Sequence, residues 1–182
     1  MRLSAPERYS LTLPRKRFRV REALRGGRFS SRASDPGPKL YVVHVRSGPI
    51  YVGVTTQPIA NRLRYGWSAD GRHGYRGYPW RKAFKTVGLD IWYQEGVTKQ
   101  KSLDNLETVE AEVVYELRLH GRQWPRFQTE IHFHKSTAAH RRAAQTVLAH
   151  CKGKVAHNYR PKPPVVGRLA TSRNRRHSHP AA

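Results

Sequence analysis

The sequence predicts an α/β fold of the mixed, α+β type: a small antiparallel sheet flanked by helices. Three observations carry that prediction. Two runs rich in Val, Ile and Tyr, residues 40–45 and 50–54, are joined by Arg46, Ser47, Gly48 and Pro49, the pattern of a β-hairpin. A further run, residues 89–95, alternates like a strand, with Leu89, Ile91 and Tyr93 on one side. Helical patterns separate and follow these runs, giving the order β-β-α-α-β-α.

Charge sets the domain plan. The 182 residues carry a formal net charge of +23 and a pI near 11.2, which points to a polyanionic partner. Residues 1–38 hold ten Lys and Arg against three acids, and residues 151–182 hold eight against none. Both flanks are rich in Gly, Ser and Pro and short of apolar side chains, so neither is expected to order itself. The expected plan is a domain at 39–150 between a basic N-terminal arm (1–38) and a basic C-terminal tail (151–182), both disordered. As function, such arms grip phosphates without reading sequence; as mere composition, they solubilise. No apolar run approaches the roughly 18 residues that would mark a bilayer span, so a membrane is not an expected partner. One cysteine, Cys151, leaves no intrachain disulfide and no CxxC metal site, and a reducing cytoplasm fits that usage.

In chain order, Asp35-Pro36-Gly37-Pro38 breaks the chain before the hairpin. Period two sends Tyr41, Val43 and Val45 to one face of the first strand, with Val42 and His44 on the other. Thr55 or Thr56 caps a helix at 59–65 with Pro58 in its first turn and Ile59 and Leu63 inward. From Trp67 to Trp80, glycines alternate with Trp67, His73, Tyr75, Tyr78 and Trp80, with Arg72 and Arg76 between them. Such a stretch either stacks on bases and neutralises phosphates or tucks its aromatics beneath itself. Pro79 opens a short helix to 87. A long helix follows, with Ser102 as its cap and Gly121 at its end. Residues 129–133 read as a short extended run, and Ser136 or Thr137 caps a last helix at 138–150. Glu130, His132 and His134 alternate, which either marks a His-x-His metal site or a polar strand edge.

The long helix holds the most informative carboxylate. At about 100° per residue, Leu106, Val109, Val113, Val114 and Leu117 form one apolar stripe. Glu110 falls inside it, whereas Glu112 projects away and Glu107 lies at its margin. A carboxylate on an inward face is costly unless a cation or hydrogen bonds satisfy it.

Taken together, Tyr41 on the first strand, Tyr51-Val52-Gly53 on the second, Arg62 on the next helix and Glu110 resemble the GIY-YIG nuclease family. The resemblance spans about residues 39–134. It implies a small three-stranded antiparallel sheet flanked by helices and cleavage of phosphodiester bonds in DNA. By that resemblance Arg62 contacts the scissile phosphate, with Arg64 as the fallback. Glu110 is the single protein ligand of a divalent cation, Mg²⁺ or Mn²⁺. Tyr41 accepts a proton from the attacking water or orients it, Tyr51 fixes water and phosphate, and Gly53 belongs to the structural motif. The first triplet, Lys39-Leu40-Tyr41, has lysine where the family has glycine. The family's histidine or tyrosine one turn beyond the arginine falls on Gly66, leaving Tyr65 and His73 as nearest candidates. Gln128, in Trp124-Pro125-Arg126-Phe127-Gln128, stands where the family has an active-site asparagine. Arg64, Tyr65, Arg72, His73 and Arg76 are the expected substrate contacts. DNA is the expected partner, RNA a second. The rival reading from another class is a non-catalytic DNA- or RNA-binding protein, or a ribosome-associated component, built on a degenerate nuclease core.

Overall fold

The computed structural model describes residues 1–15, 17–21, 27–69, 71, 77–121, 124–129 and 131–152. Among them five strands form one antiparallel sheet. These are β1 (Glu7–Thr12), β2 (Arg19–Arg21), β3 (Lys39–Val45), β4 (Gly48–Thr55) and β5 (Thr86–Trp92), in the order β2-β1-β5-β3-β4. The helices are α1 (Ser31–Ser34), α2 (Ile59–Ser68), α3 (Trp80–Ala83), α4 (Lys99–Gly121) and α5 (Ala138–Lys152).

The mixed α+β class stands, but the sheet has five strands where three were expected. The additional pair comes from residues 1–38, expected as a disordered arm. β1 pairs with β5 along its whole length, from Glu7 opposite Ile91 to Thr12 opposite Thr86. Its alternation explains this: Tyr9, Leu11 and Leu13 all point into the core while Arg8, Ser10 and Thr12 take the other positions. The Glu7 carboxylate collects hydroxyl hydrogen bonds from Tyr9 (2.6 Å), Ser30 (2.6 Å) and Tyr93 (3.2 Å), fastening β1, the entry to α1 and the end of β5. The basic N-terminal segment is therefore part of the domain. The expected tail beyond residue 152 lies outside the described residues, as does Glu130.

Smaller boundaries move as well. α2 starts without a side-chain cap, because the Thr55 hydroxyl accepts from the Gln57 amide in the preceding turn. Thr98, not Ser102, receives an amide at the start of α4, and Ser102 is buried within the helix. The expected helix from Pro79 is only the single turn of α3, since β5 begins at Thr86. Residues 131–133 form no strand.

The sheet separates two apolar layers. On one side Tyr41, Val43, Leu89 and Ile91 meet Ile59, Leu63 and Trp67 of α2, together with Tyr78 and Trp80. On the other, Leu40, Val42, Val52 and Trp92 meet the α4 stripe of Leu106, Val109, Val113 and Val114, backed by Ala144, Val147 and Leu148 of α5. Two polar groups are embedded in this frame. Asp90 lies between His44 (3.2 Å) and His150 (3.4 Å) beneath α5. Lys39, at the motif position where glycine was expected, directs its ammonium to the carbonyls of Asp35 (2.6 Å), Gly37 (2.8 Å) and Gln57 (3.3 Å). Burial lowers its pKa to about 8. The lysine thus ties the chain break at 35–37 to the turn before α2.

Candidate active site

The hairpin register places Tyr41 directly opposite Gly53. A Cβ at position 53 would lie 2.6 Å from the Tyr41 hydroxyl and 2.9 Å from the Tyr51 ring, so the Tyr41 ring can cross the neighbouring strand only over glycine. The Tyr41 and Tyr51 rings are 6.0 Å apart between centroids. α2 presents Arg62 to this pair, its Nε donating to the Tyr41 hydroxyl at 3.5 Å. Arg64, two residues on, turns to the other side of the helix, where it is exposed and bonds Asn61 (2.7 Å). Arg62 rather than the fallback therefore meets the phenols.

One helical turn beyond Arg62, the absent side chain of Gly66 makes room for Tyr78. A Cβ at 66 would collide with the Tyr78 ring, and the Tyr78 amide donates to the Gly66 carbonyl (3.1 Å). Gly77 makes the turn with φ +66°, at a place where any side chain would collide with that carbonyl. The ring stacks on Trp80 (5.0 Å), meets Tyr51 edge-on (5.4 Å) and sets its hydroxyl 2.9 Å from that of Tyr41. Sequence reasoning missed Tyr78. Its signal was indirect: a glycine one turn after Arg62 leaves a hole that another segment must fill. Of the two readings of the stretch from 67 to 80, Trp67, Tyr78 and Trp80 follow the second, tucked beneath and buried. Tyr65 points outward at 53% exposure, and Arg72, His73 and Arg76 lie outside the described residues.

The other wall forms at the outer edge of β4. Phe127 donates its amide to the Ile50 carbonyl (3.0 Å), adding the segment at 125–128 to the edge strand. The Gln128 side chain then accepts from the Val52 amide (3.0 Å) and donates to a Glu110 carboxylate oxygen (3.4 Å). Glu110 faces inward at 8% exposure, in line with its place in the stripe. The amide at 128 therefore joins the strand edge to the carboxylate. Its extra methylene relative to asparagine suits a bridge spanning both.

Electrostatics assign different tasks to the two phenols. Burial, and then Tyr78, pushes the Tyr41 pKa well above its ordinary value, with Arg62 pulling the other way. Burial raises Tyr51 too; Tyr41 and Glu110 add to the rise and Arg62 opposes it. Both hydroxyls keep their protons at neutral pH. Tyr41 was expected to accept a proton from the attacking water or to orient it; the side chain is fully buried, with its hydroxyl hydrogen-bonded to Tyr78 and to Arg62. Tyr51 is only partly buried and lies within electrostatic reach of both Arg62 and Glu110.

Among the described residues no group of three or more His, Cys, Asp or Glu is placed to hold a metal, and His134 pairs instead with Glu107 (3.0 Å). A lone inward carboxylate suits a hard divalent cation that keeps most of its ligands as water and phosphate. Glu110 fits that description. Compared with family models, curated proteins and solved structures, the chain finds no match.

Proposed function

We propose that the protein is a metal-dependent DNA endonuclease of the GIY-YIG type. The observation that carries this reading is the convergence of Arg62 on the paired phenols of Tyr41 and Tyr51, with the inward Glu110 carboxylate tied to the same strand through Gln128, in a chain of strong positive charge. In the proposed reaction a water oxygen bonds to phosphorus and gives up a proton to the surrounding solvent, the phosphorus–oxygen bond to the departing 3′ oxygen breaks, and that oxygen takes up a proton from solvent. Arg62 neutralises a non-bridging phosphate oxygen by charge-assisted hydrogen bonds, and its own position is set by Tyr41. The Tyr51 hydroxyl orients the water. Gln128 fixes the rotamer of Glu110. A Mg²⁺ or Mn²⁺ ion held by Glu110 would supply the charge that polarises the phosphate and acidifies the water.

The test is plasmid cleavage with and without Mg²⁺ by the parent protein and by Glu110→Gln and Arg62→Ala. Loss of two or more orders of magnitude in rate for both variants, with the fold intact, is expected. Equal cleavage by all three preparations refutes the assignment. A second reading, a nucleic-acid-binding protein without catalysis, draws on the protonated state of both phenols. DNA or RNA binding without cleavage in either metal would establish that one instead.

A further inference from the structure

Two basic concave surfaces of the described residues lie beside α3 and α2. One groove there, about 700 Å³, is lined by Arg15, Arg81, Lys82 and Lys85 around Leu13 and Phe84. A second, about 420 Å³, is lined by Arg17, Phe18, Arg64, Trp67 and Ser68. Trp67 of the second groove packs its ring on Phe18 (centroids 5.5 Å apart) and lies 6.0 Å from the guanidinium of Arg81 of the first, which sets the two grooves side by side. Among the described residues no carboxylate lines either groove, and none of the six cations forms a salt bridge. Six like charges held together with no salt-bridge partner among the described residues raise the potential of a folded surface and concentrate an anion there.

The grooves are coupled to the phenol cluster through a chain of rings. Tyr51 touches Tyr78, Tyr78 stacks on Trp80, Trp80 meets Trp67 (5.5 Å) and Trp67 meets Phe18. Arg62 and Gly66 face one end of this chain and Arg64 and Trp67 the other, so a single helix sets the spacing between them. Leu13 and Arg15 complete the first groove and Arg17 and Phe18 the second, and they are held there because β1 and β2 are part of the sheet.

We propose that the two grooves form one phosphate track for DNA flanking the position served by Tyr51 and Arg62, with Arg17 and Arg64 at its centre. This deepens the nuclease reading and rests on it for the identity of the substrate. A track of this kind binds backbone without regard to sequence and weakens steeply with salt.

The experiment measures anisotropy of a labelled DNA duplex over a salt series, using the full chain carrying Glu110→Gln so that nothing is cut. Arg17→Ala with Arg64→Ala is compared with Arg141→Ala with Arg142→Ala, an equal reduction of charge on exposed positions of α5. Thermal melts check that both doubles remain folded. The groove pair is expected to bind at least tenfold more weakly. Its logarithmic salt slope should fall by about 1.8, since each phosphate that is no longer neutralised removes about 0.9. The α5 pair should stay within threefold of the parent. Equal weakening by both pairs would mean that net charge alone binds DNA and would overturn the track; so would binding of RNA but not DNA. The parent protein's cleavage separates the two ideas. Groove-dependent binding without cleavage ends the nuclease reading and leaves the track standing. Cleavage that the groove pair does not alter ends the track alone.

Discussion

Replacing Gly66 with alanine should destabilise this protein, although the same change in an ordinary helix interior does the reverse. Alanine gains about 1 kcal/mol over glycine in a helix, from backbone entropy and propensity. Here the new Cβ would run into the Tyr78 ring, which is caught between Trp80 and Tyr51 and cannot swing away. Forcing such a ring aside costs about 1–3 kcal/mol. Parting its hydroxyl from Tyr41 removes a buried hydrogen bond worth roughly a further 0.5–1.5 kcal/mol. The net is a loss of roughly 0.5–3.5 kcal/mol, or a fall in Tm of about 2–4 °C for each kcal/mol in a chain of this size. Urea unfolding of Gly66→Ala reads it directly. A second arm guards the interpretation: in a Tyr78→Ala background, Gly66→Ala should turn stabilising by about 1 kcal/mol, the reversal expected of two coupled sites. If Gly66→Ala equals or exceeds the parent in stability, the account of Tyr78 as the filler of that hole is wrong.

Leu11→Ala should cost about 2–5 kcal/mol in urea unfolding, because this side chain is fully buried in the face of β1; a cost near zero would restore the picture of a loose arm. Burial raises the pKa of Tyr9, Tyr41, Tyr51 and Tyr93, so each contributes stability that is complete below about pH 10 and is lost as pH climbs past that value. Absorbance of phenolate should therefore appear for these four only together with unfolding, followed by circular dichroism. Lys39 acts in the opposite sense. With its pKa lowered to about 8, it favours the folded state increasingly as pH rises from 8 towards 10.5, and a Lys39→Met variant should lack that rise in a stability-against-pH curve. Gln128→Leu keeps the bulk but removes both hydrogen bonds, and about 1–3 kcal/mol should be lost if the Val52 amide is left buried without a partner.

The parts of the site that were legible in the sequence are those fixed by local rules. Period two and the turn at 46–47 brought Tyr41 and Tyr51 into one hairpin, and the helical stripe turned Glu110 inward. Arg62 was singled out by the resemblance, from its position on the helix after the second strand. Tyr78 was hidden because its place depends on two glycines in different segments meeting across a loop, which no single window contains. β1 was hidden for a different reason. Its apolar set of Tyr9, Leu11 and Leu13 was present in period two, but the surrounding arginines dominated the composition. Averaged charge describes a surface and says nothing about the inward half of a strand.

The sheet order has a consequence for assembly of the fold. β3 and β4 can close as a local hairpin, yet the inner neighbour of both β3 and β1 is β5. Until Thr86–Trp92 is available, the hairpin and the N-terminal ribbon are two separate fragments, each with a bare edge. Docking of β5 joins them in one step, buries the aromatic chain from Phe18 to Tyr51, and brings Arg17 and Arg64 onto the same wall. The topology thus predicts that folding waits for the last strand, with a rate governed by closure of long loops rather than by the hairpin.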